Sequence, residues 1–566
     1  MNERKQFRVL YRAFLSRLID FEVLSARGQV QTLLAQFAAM LAALSFTIII
    51  VRIPSFGKAR LTPENLAIAA WGDEYFLIAL TLTITGLFAV LAWNNMFPDR
   101  SDALILGSLP VRTAVVLKAK LWAIGAVLGT SVFALNVFTG LAYPFVLRAP
   151  TGFVLRSFFA YWVTMAAVTI FVFSASLALQ GLAAQIFSYR FFLRVSSFVQ
   201  LTAFFLILST FFLSPPVGRL TPWMPSIWFL GFFQILNGST SDAFGPLAMR
   251  AVLALGSSLV IAAITFGLAF NRSVRRMVEQ PDIAPADRTR PASRVGGWLA
   301  ARLLRQPIER AILLFTARTM ARSRQHRMLL AVYGGIGLAI GLAYARSVVY
   351  GEVPWDQPSV QLLVGSFVLL FFSAIGTRAV FALPMALRAN WIFRITSVHS
   401  PTTYFKAVHK AMLLLACGPV WIASAIFYLA VWRIAPVIQH MAIMMATGAM
   451  LVYLLMFRFR KLPFACSYQP GKTDLRIKLG SRAIIFLFLA NLGTFLEFSA
   501  IQRPKLYAFV LAALVGLAFW ARRRTVEFAQ SRYLPVQFEE LPPDEITVLD
   551  LKGDGGLTGS ERYVDA

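Results

Sequence analysis

The sequence is poor in charge, in cysteine and in histidine. Only 14% of its 566 residues are Asp, Glu, Lys or Arg, against about a quarter in an ordinary soluble chain. So few charges cannot cover several water-soluble domains, which excludes a soluble multidomain enzyme of this length. Two cysteines, Cys417 in an apolar stretch and Cys466 in a polar one, exclude a disulfide framework and a thiolate zinc site. The four histidines, His326, His399, His409 and His440, are scattered, with no His-Glu-x-x-His spacing, so no metal site is expected. Gly-x-Ser-x-Gly is absent too, and with it the nucleophile elbow of hydrolases. Acids number 26 against 54 bases. Their adjacent pairs are few: Asp73-Glu74 reads as the marker of a span start, and Glu539-Glu540 falls in a solvated tail.

What is present is apolar. Hydrophobic residues make up 58%, Phe alone contributes 50, and mean hydropathy is +0.67. The excess has to face lipid. Twelve candidate spans follow, at 33–52, 74–94, 121–146, 158–186, 195–213, 248–270, 328–349, 359–383, 411–432, 437–457, 483–500 and 506–521. The expected fold class is therefore all-α, a polytopic integral membrane bundle of twelve transmembrane helices. The net charge of +28 fits topology rather than nucleic-acid binding. About four-fifths of the Lys and Arg flank segments on the N-terminal side, which places both termini in the cytoplasm. The first apolar run begins near Leu33 behind a charged lead, so no cleavable signal peptide is expected.

Ahead of the first span, Phe7, Leu10, Tyr11, Phe14, Leu18 and Phe21 recur at helical spacing, with Arg4, Arg8 and Arg12 between them. That is the pattern of a helix lying in the membrane interface. Residues 298–324 look like a second copy. Setting Leu33-Leu34 on Leu329-Leu330 also brings the second span onto the eighth. The chain then divides into a first six-span half (1–270), a Pro- and Arg-rich cytoplasmic linker (271–310), a second six-span half (311–521) and a cytoplasmic tail (522–566). Repeats of six spans each have parallel orientation.

The loop after the second span reads "NNMFPDRSDALILGSLPVRTAVVLKAKL". Asp99, Ser101 or Asp102 caps a short helix, Leu104, Leu106 and Leu109 give it an apolar side, and Pro110 ends it. The run from Asp102 through Leu104, Leu106, Leu109 and Pro110 to Val111 resembles bacterial permeases of ATP-binding-cassette exporters of the ABC-2 type. The resemblance implies a coupling helix, with Asp99, Arg100, Asp102, Leu104, Leu106, Leu109 and Pro110, that docks a separate cytoplasmic ATPase dimer. It further implies a bacterial inner-membrane permease that forms the translocation pathway for an exported substrate. Such a subunit binds no cofactor of its own, is not itself an enzyme, and leaves ATP to its partner. Short external helices are implied between the fifth and sixth spans. The matching loop of the second half lacks the Asp-x-Leu-x-Leu pattern. Arg394, His399, Pro401 and Lys406 mark it as a second candidate coupling loop. The last external loop, "IQRPK", is too short for external helices, so the halves are expected to dock and open unequally.

Gly471-Lys472-Thr473 ends like a phosphate-binding loop, but Cys466 stands where the first glycine belongs and Pro470 removes a cradle N–H. The 458–482 loop is also far too short for a nucleotide-binding fold. Lys472, Arg476 and Lys478 read as topology charges, with a partner contact as the second reading. Within the spans, Asn136, Gln180, Arg378, Asn491 and Glu497 are the candidate pathway residues, with Gln185 beside them. Arg378 either snorkels or faces a cavity, and Glu497 either sits at the interface or is paired inside. Two other readings stay open: a proton-driven twelve-span secondary transporter, for which Glu497 is nearly the only acid well inside a span, and a non-transporting membrane scaffold.

Overall fold

The structure is a computed structural model describing residues 3–19, 30–58, 63–93, 111–146, 151–186, 189–214, 222–239, 241–279, 297–298, 301–302, 304–385, 390, 401–457, 459, 462–465 and 489–531. The N-terminal helices are α1 (Glu3–Ile19), α2 (Val30–Lys58), α3 (Pro63–Leu91), α4 (Thr113–Val146), α5 (Thr151–Ile186), α6 (Tyr189–Phe212), α7 (Pro225–Asn237) and α8 (Phe244–Glu279). The C-terminal helices are α9 (Pro307–Arg322), α10 (Arg324–Val349), α11 (Val360–Phe381), α12 (Pro401–Met412), α13 (Gly418–Val431), α14 (Ile434–Leu455), α15 (Leu489–Ile501) and α16 (Pro504–Ser531). No strand occurs among the described residues.

Among those residues, 9 helical stretches are long and apolar enough to cross a membrane, in α3, α4, α5, α8, α10, α11, the continuous α12–α13, α14 and α16. Shorter apolar helices, Ala38–Val51 in α2, Val199–Phe212 in α6 and Leu489–Ile501, fall at the first, fifth and eleventh expected positions. The chain is a multi-pass helical membrane protein. Several helices outrun their apolar cores. α4 begins at Thr113, ahead of its expected span, and α8 runs on to Glu279, into the expected linker. α16 likewise continues to Ser531, into the expected tail. Backbone hydrogen bonding does not stop at the lipid boundary, so polar turns extend each rod into water.

Proline places several starts. Pro225, Pro307, Pro401 and Pro504 each open a helix, where the missing N–H costs nothing and φ is already helical. Pro419 instead falls inside a span. It cannot donate to the preceding turn, and residues Leu413–Cys417 widen into a π-helical turn in which Gly418 N–H reaches Leu413 O. The Ser373 hydroxyl donates to the Ala416 carbonyl of this turn at 2.7 Å.

Two helices sit at the centre. In α3, 61% of the Ala70–Leu91 span is buried in protein, and in α11 72% of Val360–Phe381, against 6% for Pro504–Glu527. The N- and C-terminal helices meet where α6 packs on α10. Phe204, Leu208, Val90 and Ala339 are buried together there. Gly335 makes this approach possible, since a Cβ on it would lie 2.1 Å from the Phe204 ring. At the same contact Tyr350 donates to Leu213 O.

Amphipathic helices close the other end. α1 lays Phe14 against Val116, Ala119 and Ala123 at the start of α4, beneath Lys120. The Arg112 guanidinium pairs with Glu3 at 2.7 Å. α9 repeats the device on α12, with Leu313 packed in one cluster with Ala411. There Lys410 Nζ lies 2.5 Å from the buried Glu309 carboxylate.

Candidate functional site

α11, α14 and α15 bring Ser366, His440 and Glu497 together within two turns of one end of the bundle. His440 Nδ1 is 2.8 Å from Glu497 Oε1, and His440 Nε2 is 2.9 Å from Ser366 Oγ. His440 is fully buried and Glu497 is 1% exposed. Phe367, Tyr428 and Trp432 set their rings around the imidazole, nearly edge to face, at 5.6, 5.0 and 6.3 Å. Glu497 Oε2 has no hydrogen-bond partner among the described residues.

The order Ser–His–carboxylate is that of a hydrolase triad. The surroundings are not those of one. Ser366 lies inside α11, where backbone N–H groups are committed to the helix. The Tyr428 hydroxyl donates to Leu362 O at 2.7 Å and Trp432 Nε1 to Trp355 O at 3.1 Å. Both donors are thus committed to backbone carbonyls rather than aimed at an oxyanion on Ser366. What the arrangement can do is hold a proton.

The N-terminal helices bury a second carboxyl group at the same end. Glu74, on α3, accepts from Gln234 Nε2 on α7, and the Tyr143 hydroxyl of α4 lies beside it while also donating to Ala70 O at 3.2 Å. Below it runs a neutral network. The Tyr161 hydroxyl donates to Asn136 Oδ1 at 2.7 Å, Asn136 Nδ2 donates to Thr81 Oγ1 at 3.2 Å, and Thr139 Oγ1 meets Tyr161 at 3.0 Å. Tyr75, next to Glu74, faces both Met224 and Tyr350, and Tyr350 opens the 350–359 turn that also carries Trp355. The two buried carboxyls therefore share one end of the molecule.

The expected polar residues are placed as follows. Asn136 belongs to the network just described. Gln180 Nε2 donates to Trp93 O at 3.2 Å. Asn491 Oδ1 accepts from the Tyr344 hydroxyl at 2.9 Å. Arg378 donates to Leu455 O at 3.2 Å and stacks 4.0 Å over the Phe459 ring. All four thus tie helices together. Glu497 is buried, not interfacial, because His440 meets it. Glu74 is 4% exposed and is not a surface marker of a span start. The coupling residues Asp99, Arg100, Asp102, Leu104, Leu106, Leu109 and Pro110 lie outside the described residues, as do Arg394 and His399. Pro401 opens α12, and Lys406 is exposed on it. Gly471-Lys472-Thr473 also lies outside. Just ahead of it, Phe464 is buried in the left-handed region at φ 66°. The rings of Phe315, His326 and Phe381 surround it, and two backbone bonds tie it to Phe381 and Met385. Among the described residues no cluster of His, Cys, Asp and Glu could hold a metal ion.

His440 and Glu74 are functional candidates that sequence reasoning missed. The available signal was an ionisable side chain inside an apolar run, which marks function by default in a membrane.

No protein-family model, no curated protein and no solved structure matches the chain.

Proposed function

We infer that the chain is the membrane-spanning permease of an ATP-driven exporter of the ABC-2 type, twelve spans in two like halves, with both termini in the cytoplasm of a bacterial inner membrane. The observation that carries this reading is the pair of clamps. In each half an amphipathic helix packs on the start of the third span, Phe14 on Val116 and Ala119 and Leu313 on Ala411, with an acid–base pair across each contact, Glu3 with Arg112 and Glu309 with Lys410. Each pinned start directly follows the loop expected to receive an ATPase. A push on either loop is thereby shared between an interfacial helix and a span. The central position of α3 and α11, the second span of each half, supports the same reading.

Affinity purification of the chain from its own cell membranes is expected to recover an ATPase subunit. Asp102→Lys or Leu106→Glu is expected to cut that recovery about tenfold or more, the effect of losing one good docking contact. Absence of an ATPase, or full recovery with both variants, defeats the reading. One observation favours a second reading, the proton-driven transporter: Glu497 and His440 are paired inside the spans. It would give flux that follows a proton gradient without nucleotide.

A further inference from the structure

Two sets of hydrogens fit the heavy atoms of the C-terminal cluster. The contacts are Ser366 Oγ to Leu363 O at 2.8 Å, Ser366 Oγ to His440 Nε2 at 2.9 Å, and His440 Nδ1 to Glu497 Oε1 at 2.8 Å, with the Tyr428 hydroxyl also beside Ser366. In one set the serine hydroxyl donates to His440 Nε2 and Nδ1 donates to the carboxylate. In the other the serine hydroxyl donates to Leu363 O, which can only accept, and Nε2 carries a hydrogen of its own that it donates to Oγ. A third hydrogen lies between Nδ1 and Oε1, which makes the pair either imidazolium with carboxylate or imidazole with carboxylic acid. Either way this second set is neutral and holds one hydrogen more than the first, which is neutral histidine beside a carboxylate.

We propose that Ser366, His440 and Glu497 form an intramembrane site that binds and releases a single proton. On release, Nε2 loses its hydrogen to water and Nδ1 keeps its own on the carboxylate. The serine hydroxyl swings from Leu363 O to the bare Nε2, and the net charge goes from 0 to −1. No heavy atom has to move for these bonds to exchange. What changes is the cost of the charge. Glu497 Oε2 is unpartnered among the described residues, and a carboxylate with one donor is poorly tolerated away from water. Release therefore requires water to reach Nε2, to take up the hydrogen, and Oε2, to solvate the charge, and that couples the proton to opening of the α11, α14 and α15 contact.

The groups facing the site are accounted for by element. α13 presents Tyr428 and Trp432, and α11 presents Ser366 and Phe367. α16 presents Tyr507, whose hydroxyl donates to Gln439 O at 3.1 Å. Arg433 and Arg503 stand at the neighbouring helix ends, both exposed. His440 is thus the group against Glu497 that can supply a positive charge within hydrogen-bond reach. Glu74 has an amide in that place, and this sets the two carboxyls apart. The proposal rests on this geometry and holds whether or not an ATPase drives the chain.

The test is infrared difference spectroscopy of the full chain in lipid vesicles, between acid and alkaline pH, with carbon-13 glutamate and nitrogen-15 histidine labels. One imidazole band and one glutamate band, of the carboxyl group or of the carboxylate whose partner changes charge, are expected to change together with a single midpoint. Both should vanish in E497Q and in H440Q and survive in E74Q. The labelled native chain decides the matter even if a variant fails to fold. Glutamate and histidine bands with separate midpoints, no titrating buried band, or bands that persist in E497Q would overturn the proposal.

Discussion

The N-terminal and C-terminal helices each bury one carboxyl group at the same end of the bundle, and they hold it by different means. Glu74 is met by an amide and a phenol, Gln234 and Tyr143, and by a neutral network below. Glu497 is met by His440, with Ser366 behind it. A neutral donor supplies a hydrogen bond without offering a place for an exchangeable proton. An imidazole supplies both. In the N-terminal helices an amide and a phenol hold the carboxyl group, and in the C-terminal helices an imidazole, itself able to carry charge, does so.

The largest effect should come from breaking the C-terminal pair. His440→Leu strands a buried carboxyl and is expected to cost about 3–5 kcal/mol, read as a drop in the thermal midpoint of the detergent-solubilised protein. The double variant H440L/E497L should recover most of that loss, because apolar residues of similar volume replace a buried pair at little cost. Failure of the double variant to recover would mean that the pair does more for the fold than compensate itself. In the N-terminal helices, Gln234→Leu removes only a neutral donor and is expected to cost about 1–3 kcal/mol by the same measurement. If Gln234→Leu costs as much as His440→Leu, the contrast between the two sites collapses. The clamps give the smallest effects. Lys410→Gln leaves the buried Glu309 of α9 without its cation and should lower the midpoint measurably. Glu3→Gln breaks a pair that is exposed on both sides and should leave the midpoint unchanged, as for most surface ion pairs.

Much of the helical framework was legible because apolar runs of span length are dictated by the lipid alone. The ends were less so. Thr113, Glu279 and Ser531 extend helices into polar sequence, where hydropathy carries no signal. The π-helical turn at Leu413–Cys417 is met by Ser373, forty-three residues away, and Pro419 alone could have meant a kink, a break or a wide turn. The sites were legible only as isolated polar letters. Glu497 stood out as an acid within a span, but its partner His440 lies 57 residues earlier, beyond any periodicity. Glu74 was masked by Asp73, because an adjacent acidic pair at the start of an apolar run reads as a boundary. Its burial comes from α7, a helix outside the spans whose Gln234 reaches across 160 residues. Pattern shows which residues lie in the membrane. It does not show which of them meet.

The proposed drive by a separate ATPase reaches furthest. Its most direct test is ATP hydrolysis by complexes captured on the tagged chain, in lipid, with and without Leu106→Glu. The account predicts hydrolysis that is retained on the native chain and lost with the variant. Captured chain that hydrolyses no ATP, while vesicles containing it move substrate along a proton gradient, would contradict it.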